Sequence, residues 1–237
     1  MRFLRPILLA ALMLSGATLH AQTAGEIVGK YLEAIGGEEA WKGVTTLKAT
    51  GHIRSAGPDI AIILTAVHMK GFRSEYTALG EKGYSVVTPT AGWYYNGRRD
   101  DTAATVTFMS SGQVRLSQAQ LDIQGELVDY KAKGHKVAYA GPAEVDGKSC
   151  YLLKLTAISG ATTDMYIDKS THYLIRTVSK AMVDGEESQD TINYSKYETR
   201  KGGLVYPMQL GTATGDIMLS AVDFNAPIDP KLFEPGS

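Results

Sequence analysis

Histidines, cysteines and paired carboxylates are the side chains best suited to catalysis or metal binding, and in this sequence they form no recognisable constellation. His52, His68, His135 and His172 are scattered, without the four-residue helical spacing of a zinc site and without a cysteine partner. Each reads as a strand or surface imidazole. Cys150 has no partner for an intramolecular disulfide, and its neighbours Tyr151, Leu152 and Leu153 mark it as a buried inert thiol on a strand rather than a nucleophile. The acidic neighbours Glu38-Glu39, Asp100-Asp101 and Glu186-Glu187 sit in turn-like surroundings, where adjacent side chains on an extended chain point apart. They read as solvated turns, not acid/base pairs. The strained Gly-x-Ser-x-Gly elbow is missing; Gly185 to Ser188 comes nearest and lacks apolar flanks. Neither a dinucleotide fingerprint nor a phosphate loop occurs. The expectation is a protein without catalytic residues, metal or cofactor.

The chemistry the chain does offer is apolar and aromatic. It carries 13 tyrosines, with Met69, Met109, Met165, Met182, Met208 and Met218 beside them. Tyrosine on a strand presents a flat apolar body with a polar tip, and methionine adapts to irregular partners. For any one residue the ordinary reading is β-core. Together they supply a deformable lining, provided the sheet that carries them curls.

The elements that must position these residues follow from periodicity. Ile27, Val28, Tyr31, Leu32 and Ile35 recur at helical spacing and predict an amphipathic helix over Ala24 to Ile35, with Thr23 as its cap. Gly36-Gly37 ends it, and Glu38 to Val44 makes a further short turn whose Trp41 folds back on the same core. From Thr46 the pattern becomes strands separated by turn signals at Gly57-Pro58, Lys70-Gly71, Gly80 to Gly83 and Asn96-Gly97. Asn96-Gly97 is the strongest hairpin mark, since both residue types accept positive φ. Phe72, Ser74 and Tyr76 alternate with Arg73, Glu75 and Thr77, which predicts one dry and one wet face. Ile60 to Val67 is apolar at both parities and predicts a strand covered on both sides. A second helical region spans Ser110 to Asp129, with Ser117 and Gln120 as a capping box. Strands resume after Gly134, with turns at Asp146-Gly147, Ser159-Gly160, Asp168 to Thr171, Asp184-Gly185, Gly202-Gly203 and Gly215-Asp216. The architecture predicted is mainly β: one large twisted antiparallel sheet of about ten or eleven strands and two helical regions. A sheet that wide curls, and two helical regions leave volume on its concave side for a ligand.

The balance of 24 basic against 25 acidic residues leaves no electrostatic excess for gripping phosphate backbones, so nucleic acid is not an expected partner. Arg2 and Arg5, the apolar run Ile7 to Leu14 and the small, polar stretch ending at Ala21 have the order of a secretory signal peptide. Residues 1–21 are expected to be removed after Ala21, leaving 22–237 as a single domain. Leu14-Ser15-Gly16-Ala17 has the shape of a bacterial lipoprotein signal, but alanine stands where the lipidated cysteine is required. The expectation is an exported, freely soluble periplasmic protein.

Three local patterns resemble the bacterial outer-membrane lipoprotein-sorting family, the LolA-like periplasmic carriers. They are Tyr31-Leu32-Glu33-Ala34-Ile35-Gly36-Gly37 in the first helix, Tyr166-Ile167-Asp168 followed by Leu174-Ile175-Arg176 in a hairpin, and the tail Asn225-Ala226-Pro227-Ile228-Asp229 leading to Leu232-Phe233. The resemblance runs from about Ala24 to Phe233 and implies an unclosed β-barrel wrapped around helices. It further implies a concave apolar face that receives acyl chains of lipoproteins or lipids, loaded from an inner-membrane transporter and passed to an outer-membrane acceptor. No functional arginine of the family is carried over to Arg54 or Arg73.

On parity alone, the lining of that face is assigned to Ile62, Leu64, Phe72, Tyr76, Tyr84, Val86, Trp93, Tyr95, Leu153, Leu155, Met165 and Ile167. A one-residue slip in register sends a strand's residues to the other face. The alternative reading is a non-catalytic envelope sensor or scaffold that binds a peptide or protein through the same half-barrel, chiefly by its edge strands. A hydrolase would require His68 or His135 to meet a carboxylate in a cleft. An integral outer-membrane barrel is disfavoured, because helices interrupt the strand series.

Overall fold

Thr23 starts the first helix, α1 (Ala24–Ala34), through a reciprocal cap: its hydroxyl accepts from the Glu26 amide, and the Glu26 carboxylate accepts from the Thr23 amide at 2.8 Å. The computed structural model describes residues 23–54, 56–97, 106–183 and 186–235; the leader, Asp100-Asp101 and the Asp184-Gly185 turn lie outside them. Ile27, Val28 and Leu32 form the buried stripe of α1. The chain then reverses at Gly36, whose φ is +109° and where a Cβ would stand 2.5 Å from the Gly203 carbonyl oxygen. Helix α2 (Glu38–Lys42) follows and buries Trp41, whose indole donates to the Ile35 carbonyl at 2.9 Å.

The strands are β1 (Thr46–Arg54), β2 (Ile60–Val67), β3 (Gly71–Ala78), β4 (Glu81–Val87), β5 (Gly92–Asn96) and β6 (Thr107–Phe108). After α3 (Ser111–Ser117) and a 3-10 turn over Gln118–Leu121 come β7 (Lys136–Val145), β8 (Lys148–Thr156), β9 (Thr162–Asp168) and β10 (Leu174–Val183). The series ends with β11 (Glu186–Thr199), β12 (Val205–Thr212), β13 (Gly215–Phe224) and a 3-10 turn over Pro230–Phe233. All thirteen strands join one open antiparallel sheet in the order β6-β5-β4-β3-β2-β1-β13-β12-β11-β10-β9-β8-β7. Two meanders thus meet at the β1–β13 seam, and β6 and β7 are left as edges. The mainly β architecture with an unclosed sheet and two helical regions matches the expectation, with more strands than predicted.

The segment from α3 to Gly134 connects the two edges, and α3 makes contact with β10. Ile123 of this segment packs against both apolar clusters of the interior, while Leu127 and Val128 are buried in the one beneath α1. Gln124 donates to the carbonyls of Lys42 and Val44, and the Met69 amide donates to Leu121. The connecting segment is therefore fastened to α2 and to the β2–β3 turn.

Four local expectations are corrected. The capping box lies at Ser110 and Gln113 rather than at Ser117 and Gln120, and the α-helix ends at Ser117. Asn96-Gly97 is not a hairpin tip, for neither residue has positive φ. Instead the Gly97 amide continues the pairing with Lys82, and Asn96 accepts from the Tyr76 hydroxyl. Ile60–Val67 is not covered along both faces: Ala61 is exposed and Ile63 is 38% exposed. The supposed wet face of β3 buries Arg73 to 5% exposure. The C-terminal turn lies over it: Arg73 donates to the Leu232 carbonyl at 3.1 Å and to Glu75 at 2.6 Å, with its guanidinium over the Tyr84 ring. Asn225 and Asp229 of the tail motif serve this fold-back, Asn225 accepting from the Thr45 amide and Asp229 capping the 3-10 turn.

Candidate ligand-binding recess

Register divides the twelve predicted lining residues into three groups. Leu153, Leu155, Met165 and Ile167 share the face that packs beneath α1 and Trp41, and each is at most 3% exposed. The protein's own helical segments occupy the space above them. Ile62, Leu64, Phe72 and Tyr76 lie on that same concave side. Ile62, Leu64 and Tyr76 belong to the second cluster, with Ile53, Ile60, Leu210 and Ile217 half-buried around them. Tyr84, Val86, Trp93 and Tyr95 are on the opposite face. Their pairing partners run Arg73 to Val86 to Trp93 and Glu75 to Tyr84 to Tyr95, whereas Tyr76 pairs with Gly83 and Asn96.

A second set of residues, which the sequence reading did not assign to the lining, gathers between α1, the connecting segment and β10–β12. Tyr194 lies opposite Leu210, and its hydroxyl is 3.2 Å from the Thr177 hydroxyl of β10. Tyr197 stacks on Tyr173 with ring centroids 4.3 Å apart and donates to the Leu174 carbonyl. Tyr206 packs against Trp41 and Phe224. Tyr31 of α1 is within electrostatic reach of Tyr194, Tyr197 and Tyr206.

Burial raises the pKa of all four phenols, pushing Tyr206 up to about 12 and Tyr197 well above the usual tyrosine value. Yet none of the four is closed to solvent; each keeps an intermediate exposure. Glu126, from the connecting segment, has the same character: burial, then the Asp122 charge, raises its pKa, and it acts electrostatically on Tyr194.

Beside Glu126, Lys133 donates to Asp122 at 2.6 Å and to the Gly125 carbonyl at 2.9 Å. His68 Nδ1 stands 3.7 Å from the other Asp122 oxygen. This is the histidine–carboxylate approach that a hydrolase would need. Burial lowers the pKa of both His68 and His135, and neither imidazole makes a side-chain hydrogen bond among the described residues. Among the described residues neither ring is hydrogen-bonded to a hydroxyl or thiol, the arrangement by which a histidine activates a nucleophile. Among the described residues no group of three or more His, Cys, Asp or Glu has metal-site geometry. Cys150 is fully buried and its pKa is raised first by that burial.

A separate open cleft of about 380 Å³ runs beside edge strand β6, bordered by Pro89, Ala91, Phe108, Met109, Val114 and Arg115. Phe108 there is 62% exposed. Among the described residues no helix is long and apolar enough to cross a membrane.

No protein-family model and no curated protein matches the sequence. Solved structures do share its fold. A LolA-superfamily protein from Nitrosomonas europaea aligns over 90% of this chain and 98% of its own, at 14% identity and a TM-score of 0.53. A candidate outer-membrane lipoprotein-sorting protein domain from Vibrio parahaemolyticus aligns over 87% and 97%, at 13% identity and 0.53. A DUF1329-family protein from Desulfovibrio piger aligns over 91% and 98%, at 13% identity and 0.50. At such identities the likeness is one of architecture: the chain has the fold that these LolA-superfamily and DUF1329-family structures share.

Proposed function

We propose that the chain is an exported, non-catalytic envelope carrier that shelters the acyl chain of a lipid or lipoprotein on the concave side of its sheet. What supports this reading is the apolar and aromatic surface left partly open on that side. Tyr31, Tyr194, Tyr197 and Tyr206 remain accessible deep in the protein, next to the half-buried apolar surface of Ile53, Ile60, Leu64 and Leu210. Burying about fourteen methylenes at roughly 0.8 kcal/mol each is worth on the order of 11 kcal/mol before ordering costs. A gain of that size makes unaided release slow, so loading and unloading fall to partners, for which an inner-membrane transporter and an outer-membrane acceptor are the natural pair.

The test is binding of a fluorescent acyl probe to residues 22–237, with mass spectrometry of lipids that co-purify. Leu64→Glu places a charge on the concave face and is expected to weaken binding at least about tenfold. Lys48→Glu, on the outer face of the neighbouring strand, leaves binding unchanged. Absent binding, or equal response to both substitutions, rejects the carrier reading. The scaffold reading draws on edge strand β7, ten residues long, but the irregularity between Tyr139 and Gly141 and the proline at 142 interrupt its row of free backbone groups.

A further inference from the structure

We propose that the open cleft beside edge strand β6 captures the C-terminus of a partner polypeptide, seating its last, apolar side chain and pairing its carboxylate with Arg115. The cleft shares no residue with the apolar cluster around Leu64, so this site stands apart from the carrier reading.

The cleft is preformed. Gly92 opens its floor: a Cβ there would stand 2.6 Å from Met109 Sδ and 3.4 Å from a Val114 methyl, so both side chains lie directly on the start of β5. One wall is the β4–β5 turn, which Thr88 closes by donating its amide and its hydroxyl to the Ala91 carbonyl, at 2.8 and 3.0 Å. The other wall is α3 with the 3-10 turn after it. Gln118 of that turn donates to the Pro89 carbonyl at 2.8 Å and so ties the two walls together. A volume of about 380 Å³ falls within the range of ligand pockets, roughly 300 to 1,000 Å³.

The bordering groups select the ligand. Pro89, Ala91, Met109 and Val114 are apolar, and Arg115 is the one charged residue on the border among the described residues. Arg115 is exposed and makes no hydrogen bond or ion pair among them. A guanidinium left free beside an apolar cleft pairs a carboxylate through two parallel bonds. Phe108 supplies backbone. The Met109 amide donates to the Gly92 carbonyl at 2.8 Å, so the N–H and C=O of Phe108, one residue earlier, point the other way, to the open side of β6. An extended peptide satisfies such groups with its own amides and carbonyls. A fatty acid brings a carboxylate and an apolar tail but nothing for the Phe108 backbone.

Calorimetric titration of residues 22–237 with a serine- and threonine-containing hexapeptide that ends in leucine tests the site. The free acid is expected to bind about tenfold more tightly than its C-terminal amide, and about tenfold more tightly than the same peptide ending in glycine. Decanoate at equal concentration does not displace it. Arg115→Gln removes the preference for the acid over the amide, and Arg115→Lys recovers part of it. Acyl-probe binding is the same in Arg115→Gln as in the parent, so a protein that binds no acyl probe loses the carrier reading alone. Equal binding of acid and amide, an Arg115→Gln variant that keeps the preference, or no peptide binding at all overturns the proposal. Displacement of the peptide by decanoate makes the cleft a fatty-acid site and overturns the peptide as its occupant.

Discussion

Lys133 reaches back eleven residues to Asp122, at 2.6 Å, and so closes the connecting segment into a loop that holds Ile123, Leu127 and Val128 on the concave face. The Asp122 side chain is only 11% exposed and that of Lys133 20%. Lys133→Met leaves the carboxylate beside only the His68 imidazole, whose charged form burial disfavours, at a cost of about 3 kcal/mol. The double change Asp122→Asn, Lys133→Met removes both charges and loses less than the single substitution. Urea unfolding of the two variants measures the difference.

Glu126 gives a pH signature of its own. Its folded-state pKa is raised, so the folded protein binds the proton more tightly than the unfolded chain does. Stability therefore falls as pH rises from the unfolded to the folded pKa, and the penalty is fully present above both. Glu126→Gln removes the penalty: melting at neutral pH moves up, on the order of 2 °C, and below the unfolded pKa the variant and parent converge. Scanning calorimetry across that range tests the sign, and a variant less stable than its parent at neutral pH refutes the assignment.

Arg73 anchors the C-terminal turn to the outer face of β3 by its bond to Leu232 and its stacking on Tyr84. Arg73→Ala is expected to cost about 2 kcal/mol and to expose the segment after Asn225 to protease before the sheet opens. Arg73→Lys retains the charge without the planar fork and recovers part of the loss. Limited proteolysis followed by mass spectrometry identifies which end is cut first.

Gly36→Ala should be among the most damaging single changes. It combines a φ of +109° with a Cβ directed at the Gly203 carbonyl oxygen, and the obstacle is backbone that cannot rotate aside. A loss of about 3 kcal/mol or more is expected, whereas Gly29→Ala, on α1 with nothing within 4 Å, is expected to be neutral or stabilising. Thermal melts of both variants make the comparison.

These residues also mark how far the sequence could be read. The helix at Ala24, its threonine cap and the inward Trp41 were legible because their signals are local. So was the turn at Asp146-Gly147, where both residues take positive φ. The faces of β4 and β5 were not. Leu79-Gly80 makes a two-residue turn that pairs Ala78 with Glu81, so the even-numbered Phe72 and Tyr76 meet the odd-numbered Val87 and Gly83. Parity reverses across the hairpin and carries Tyr84 and Val86 to the outer face; it reverses again into β5, which puts Trp93 and Tyr95 there as well. Arg73 read as solvated because the turn that covers it is 159 positions away in the chain.

The tyrosine cluster was illegible for a related reason. Tyr31, Glu126, Tyr194 and Tyr206 come from four separate elements, and their spacing in the chain has no period. Only the composition hinted at them, in the number of tyrosines. What brings them together is the order of strands in the sheet, a property of long-range pairing that local patterns do not encode.

That pairing also sets a timetable. Because β13 is the last strand made and lies beside β1, the first, a nascent chain can form both meanders and still have no continuous sheet. Until Gly215–Phe224 is available, β1 and β12 each offer a bare row of amides and carbonyls to any passing strand. The final zipping step joins segments about 170 residues apart, so it is slow by topology alone. A chain ending before Gly215 should aggregate rather than fold into a smaller version of itself.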